Sequence, residues 1–232
     1  KKYEEAYIAF DYATVIDDQF MGAFMEKAKS LERLKRYEEA IANYNETIRL
    51  EDPTSYALLR IGKCYEKLGN DLEALKYYNQ TVHEDPLLDK GWIAITDHHF
   101  KHNDFQKALY FVNKAIAIDG ENRFYWKRFA AINKALNLFE EAEYGYRKAV
   151  EFGATELETW LYWVNVLQYL GEFDAAIQTL LQACDHFPDE YEIEYRLAGL
   201  HLMLNETEKG LYHLNNGLRQ SFKNRFLLEE IF

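Results

Sequence analysis

The chain has 232 residues, 48% of them hydrophobic and 28% charged, with a formal net charge of −12. That composition belongs to a folded chain rather than a disordered one. The acidic balance speaks against a phosphate-backbone footprint and against a polybasic membrane contact, since both are built from clustered Lys and Arg.

Three prolines and eleven glycines leave little loop-forming material, so regular structure is expected almost throughout. No apolar run reaches the roughly 18 residues of a membrane span. The opening KKYEEAY has no methionine and no signal-peptide pattern. Sequence upstream of it is therefore expected. Cytoplasmic localisation follows by default only. Cys64 and Cys184 make no paired framework, so reduced thiols are the expectation.

The first predicted element is a single helix over 1–20, in which Ala6, Phe10 and Ala13 are spaced four and three apart on one face. Residues 21–54 form a helix pair. The first helix carries Phe24 and Ala28, and the second carries Ala40, Tyr44 and Thr47. Residues 55–88 repeat this with Leu58, Ile61 and Gly62, then Ala74, Tyr78 and Thr81. Residues 89–122 carry Trp92, Ile95 and Thr96, then Ala108, Val112 and Ala115. In 123–156 the set is Trp126, Phe129 and Ala130, then Ala142, Tyr146 and Ala149. In 157–190 it is Trp160, Trp163 and Val164, then Ala176, Leu180 and Ala183. Residues 191–224 carry Leu197 and Ala198, then Gly210, Leu214 and Gly217. The start of a C-terminal helix over 225–232, with Phe226, Leu227, Leu228, Ile231 and Phe232, closes the chain.

Every column recurs at 34 residues without insertion or deletion. A fixed period of this size marks a stacked repeat. The small–large–small column has a physical reading: small residues let helices approach closely, and the large residue fills the gap. Turns are predicted at Leu68-Gly69-Asn70-Asp71, His102-Asn103-Asp104 and Leu170-Gly171-Glu172. Pro53, Pro86 and Pro188 fall between units, where they interrupt no helix.

The run Arg60-Ile61-Gly62-Lys63-Cys64-Tyr65, followed by Ala74, Tyr78 and Pro86, resembles the tetratricopeptide repeat, and the resemblance extends over nearly the whole chain. It implies an all-α, right-handed superhelical solenoid of stacked antiparallel helix pairs forming one array over 1–232. The tandem is similar to long bacterial tetratricopeptide proteins that lack a catalytic domain. The sequence departs from the family pattern in places. Glycine fills its column only at Gly62, and His99, Asn133 and His201 stand in the tyrosine column. Glu194, Thr207, Gly210 and Gly217 make the last unit an expected loose pair or cap.

Catalytic motifs are absent: there is no G-x-S-x-G, phosphate loop or dinucleotide fingerprint. The acid pairs Glu4-Glu5, Glu38-Glu39 and Glu140-Glu141 open second helices, where they complement the helix dipole. His98 and His102 share a helix face, but no third ligand stands nearby in a recognisable motif. Packing for His99 and helix-terminal charge for His102 are the expected roles. No enzyme, cofactor or metal is expected.

The resemblance also implies that first helices line a concave groove. Its columns hold Arg60, Lys63 and Lys67, then Lys90 and Asp97, then Lys127, Arg128 and Lys134. Tyr162, Asn165, Gln168 and Tyr169 follow, then Tyr195 and Arg196. Lys and Arg suit carboxylates, and tyrosines anchor apolar side chains. The expected function is a non-catalytic scaffold for a protein or peptide with an acidic segment, with no nucleic-acid partner. The family's carboxylate-clamp positions hold Leu59, Lys63, Ala94, Lys90 and Arg128, of which only the last two fit, so chaperone docking is not expected. Two readings compete with the groove: cations that merely keep the surface solvated, and an assembly role with self-association through the exposed ends.

Overall fold

The computed structural model describes residues 2–50 and 54–229, with side chains up to Ser221. Thirteen α-helices and no strand are found among the described residues. Their contacts cluster into two units, Lys1–Gly120 and Glu121–Phe232. The first unit contains α1 (Lys2–Ile16), α2 (Met21–Arg33), α3 (Tyr37–Leu50), α4 (Ser55–Lys67), α5 (Asp71–Glu84), α6 (Asp89–Lys101) and α7 (Phe105–Ile118). The second contains α8 (Arg123–Ala135), α9 (Phe139–Glu151), α10 (Leu157–Tyr169), α11 (Phe173–His186), α12 (Tyr191–Met203) and α13 (Thr207–Glu229). Within each unit every helix packs on its neighbours in sequence, giving an all-α helical-repeat solenoid.

The period is written into the helix ends. First helices begin at Met21, Ser55, Asp89, Arg123, Leu157 and Tyr191, each 34 residues after the last. The turn inside each pair uses one left-handed residue in the same place: Lys35, Gly69, Asn103, Asn137, Gly171 and Asn205. The next residue's N–H then reaches back to the last turn, as Arg36 to the Leu31 carbonyl at 2.9 Å and Glu172 to the Leu167 carbonyl at 2.8 Å. This is the Schellman closure, which satisfies carbonyls the helix leaves open. Gly or Asn fills five of the six positions because they tolerate positive φ; Lys35 does not share that tolerance. Side-chain caps on α4, α5, α7 and α8 come from Thr54, Asn70, Asp104 and Asn122. The paired acids sit in the first turns of α1, α3 and α9. Pro86 and Pro188 lie outside the helices; Pro53 lies outside the described residues.

The size columns form the core. Ala40, Ala74, Ala108, Ala142 and Ala176 are completely buried, as are Tyr44, Val112 and Leu180 in the large column. Gly62 shows why close approach matters: a Cβ there would stand 2.5 Å from the Tyr78 ring. Tyr78 is buried, and its hydroxyl donates to Glu66 at 2.6 Å, so the ring is held where it crowds the glycine.

Two expectations need correction. The last pair does not pack loosely. Leu202 and Tyr195 occupy the spaces opposite Gly210 and Gly217, at 2.6 and 2.8 Å from an added Cβ. Glu194 Oε2 lies 2.8 Å from His213 Nδ1, tying α12 to α13. Nor does a separate helix start at 225, since α13 continues without a break to Glu229. The terminal apolar side chains, Phe226 to Phe232, lie outside the described residues.

Candidate functional site

In the first unit, Arg60, Lys63 and Lys67 follow at steps of three and four along α4, so they share one face. With Glu32 and Arg33 of α2, Tyr37 of α3 and Cys64 they line a cleft of ≈ 280 Å³. The cleft therefore gathers four cations around one carboxylate. Arg60 and Glu32 form a two-pronged pair, with Nε donating to Oε1 at 2.9 Å and an Nη2 contact to Oε2. Glu32 is only 9% exposed and Arg60 28%, so this pair belongs to the packing. Cys64 Sγ donates weakly to the same Glu32 oxygen at 3.5 Å, and burial pushes its thiol up to about 11.

The lysines are different. Lys63, Lys67 and Lys90 form no ion pair among the described residues. Burial, and then the like charge of Arg60, hold the Lys63 ammonium below its ordinary value; Lys90 adds to that repulsion, while Glu66 and Asp97 oppose it. An anion entering the cleft would relieve this stress, because it favours the charged form that burial disfavours.

In the second unit the groove columns are largely engaged. Lys127 Nζ lies 3.3 Å from Glu156 and 6.0 Å from the Phe124 ring centroid. Arg128 also has a partner. Arg196 donates to Glu192 at 2.9 Å and to Asn165 Oδ1 at 2.8 Å. Tyr195 lies against Gly217, and its hydroxyl meets Ser221 Oγ at 3.0 Å. What stays open is a cleft of ≈ 370 Å³ lined by Lys134, Asn165, Gln168 and Tyr169. Lys134 stands 5.3 Å over the Tyr162 ring. Tyr169 stacks on Phe139 at 5.0 Å yet remains 68% exposed, so one ring face is available.

The twelve predicted groove residues thus sort by partner. Arg60, Lys127, Arg196 and Asn165 are held in intramolecular pairs, Arg128 has a partner as well, and Tyr195 serves the packing of the last helix pair. Lys63, Lys67 and Lys90 in the first unit, and Lys134, Tyr162 and Tyr169 in the second, present free chemistry. The sequence reading missed Glu32 and Arg33. Arg33 stands one repeat upstream of Lys67, and Glu32 stands in the column of Lys134 and Gln168, so the 34-residue register was the signal that could have found them.

Histidine placement is partly as expected. His99 is packed, its ring stacked on Phe111 at 5.4 Å, and His102 caps α6. The expectation that His98 and His102 lack a third donor is not met. Asp71, the first residue of α5, brings a carboxylate so that the ligand atoms of all three lie within 4.8 Å of one another. No helix among the described residues is long and apolar enough to cross a membrane.

Residues 25–88 and 157–200 match tetratricopeptide-repeat family models. No curated protein matches the chain. Among solved structures, the C-terminal part of a repeat-containing protein from Cytophaga hutchinsonii superposes with a TM-score of 0.81 at 15% identity, covering 98% of this chain and 94% of that one. The APC/C hetero-tetramer Cut9–Hcn1 gives 0.61 at 19% identity over 82% of this chain, which spans only 38% of that chain's length. MamA gives 0.64 at 16% identity, over 72% of this chain and 91% of that one. At such identities these likenesses speak to fold alone. The recurring helix pairs, the filled size columns and both repeat matches agree: the chain is a tetratricopeptide-repeat protein.

Proposed function

We propose that this chain is a non-catalytic scaffold that binds an acidic protein segment on the first-helix face of its first unit. One observation carries the reading: Lys63, Lys67 and Lys90 gather beside Arg33 and Arg60 with no ion pair to a carboxylate among the described residues, in a chain of net charge −12. A surface that served solubility alone would pair these lysines with the abundant acids. Carboxylates of the incoming segment would meet Lys63 and Lys67, and the rigid helices would lose little entropy on binding. In the second unit, Lys134, Asn165 and Tyr169 offer a site for an amide or aromatic side chain by the same display. Tetratricopeptide-repeat proteins are generally non-catalytic scaffolds, which agrees with the missing catalytic motifs.

The test is an array of acidic peptides probed with the whole chain and with Lys63→Glu/Lys67→Glu. Arg60 is left alone because breaking its buried pair with Glu32 would destabilise the fold. Binding should weaken at least about tenfold in the variant and fall with added salt. Equal capture by both proteins would remove this face as the docking site.

A second reading, self-association, is favoured by α1, which exposes Ile8, Tyr12, Val15 and Ile16 at 57–79%. Sedimentation at several concentrations separates the two. A monomer throughout disposes of self-association, and a dimer dispersed by Val15→Glu supports it.

A further inference from the structure

We infer that Asp71, His98 and His102 form a site for a divalent transition-metal ion of the zinc class, clipping α5 to α6. The geometry brings together donors from two helices. His98 and His102 are one turn apart near the end of α6, with ring centroids 4.6 Å apart. Asp71 opens α5, where the Asn70 side chain accepts from the Glu73 N–H and fixes the helix start. His102 Nε2 already stands 3.2 Å from Asp71 Oδ2. Ligands of a tetrahedral zinc ion with bonds of about 2.0–2.1 Å lie roughly 3.4 Å apart. The three donors already lie within 4.8 Å of one another, so only a small closure separates them from that spacing. His99 is not part of the set, because its ring is committed to Phe111.

Two imidazoles and one carboxylate suit zinc, nickel or cobalt better than the all-oxygen cage that calcium or magnesium takes. Three protein ligands leave one position for water. The site can supply it, since Asp71 is 26% and His102 46% exposed. One competitor is visible: Lys101 Nζ lies 2.9 and 3.1 Å from the two Asp71 oxygens. Its side chain is 54% exposed, so solvent is there to receive the ammonium once an ion displaces it. A divalent ion would take its place with twice the charge and three donors.

The competition makes the test sharp. Zinc is titrated into the whole chain by calorimetry in chelator-free buffer at neutral pH, with Asp71→Asn, His98→Gln and Lys101→Met alongside. One ion should bind per chain. Affinity should fall at least about tenfold in Asp71→Asn and His98→Gln, since even outer-shell losses cost that much. It should rise roughly two- to fivefold in Lys101→Met, the reach of one surface ion pair. Zinc should also raise the melting temperature of the wild type and not that of Asp71→Asn. Far-UV circular dichroism checks that each variant is folded; Asp71→Asn, a near-isosteric change at a helix start, keeps the test alive if His98→Gln is not. Wild-type affinity in Asp71→Asn would reduce the site to a histidine pair and overturn the inference. So would affinity unchanged in His98→Gln, which places zinc elsewhere, or the absence of saturable binding.

Discussion

The two units use the same scaffold positions for different chemistry. In the first, the first-helix face carries Lys63, Lys67 and Lys90, which form no ion pair among the described residues, and the unit buries two tyrosines, Tyr44 and Tyr78, in its large column. In the second, Lys127 and Arg196 are answered by Glu156 and Glu192, the open face is amide and aromatic, and the large column runs Tyr146, Leu180 and Leu214. The contrast teaches that a repeat separates two kinds of position. Columns facing neighbouring helices are restricted by volume and keep their size class in both units. Columns facing solvent are restricted only by what they meet, so charge can change from unit to unit at no cost to the fold.

The sharpest way to break the comparison is the Gly62–Tyr78 contact. Gly62→Ala should destabilise the protein by about 1–3 kcal/mol in urea unfolding, since the added methyl needs space Tyr78 already fills. Wild-type stability would mean that the first unit's tyrosine column yields, and that glycine is not a spacer there. The cysteines sharpen it next. Burial raises both thiols, Cys64 to about 11 and the half-buried Cys184 by a lesser influence joined by Glu194 and Asp185. At mildly alkaline pH the Cys64 thiolate is depleted about hundredfold, and its greater nucleophilicity recovers about tenfold of that. Iodoacetamide should therefore modify Cys184 first and Cys64 about tenfold slower than a free thiol. Equal rates, read by mass spectrometry, would show that the Cys64 cleft opens.

Two smaller effects have stabilising sign. Lys35 holds φ of 63° where all five of its counterparts are asparagine or glycine. Lys35→Gly should stabilise by about 1 kcal/mol, the left-handed cost of a side chain. In the second unit, Gly199 lies within α12, and an added Cβ would meet nothing within 4 Å. Gly199→Ala should stabilise by roughly 0.5–1 kcal/mol through helix propensity alone. A loss of stability there would contradict the open space beside it. The two glycines then give opposite signs for one substitution, which separates a packed column from a solvent one.

The sequence by itself determined the period, the helix pairs, the buried size columns and the face each candidate residue occupies. Those features follow from local rules: helical spacing of three and four, side-chain volume and turn chemistry. Even so, a turn at Lys35 was invisible by residue type, because the register of the array imposes it where no glycine or asparagine announces it. Only the tertiary structure decided which cations were free. Whether Arg60 answers Glu32 depends on two side chains 28 residues apart meeting between α2 and α4. The same holds for Asp71, which joins His98 and His102 from the neighbouring helix. Spacing along a chain fixes the face a residue takes on its own helix; the reach between helices, and the charge already waiting there, is settled only when they pack.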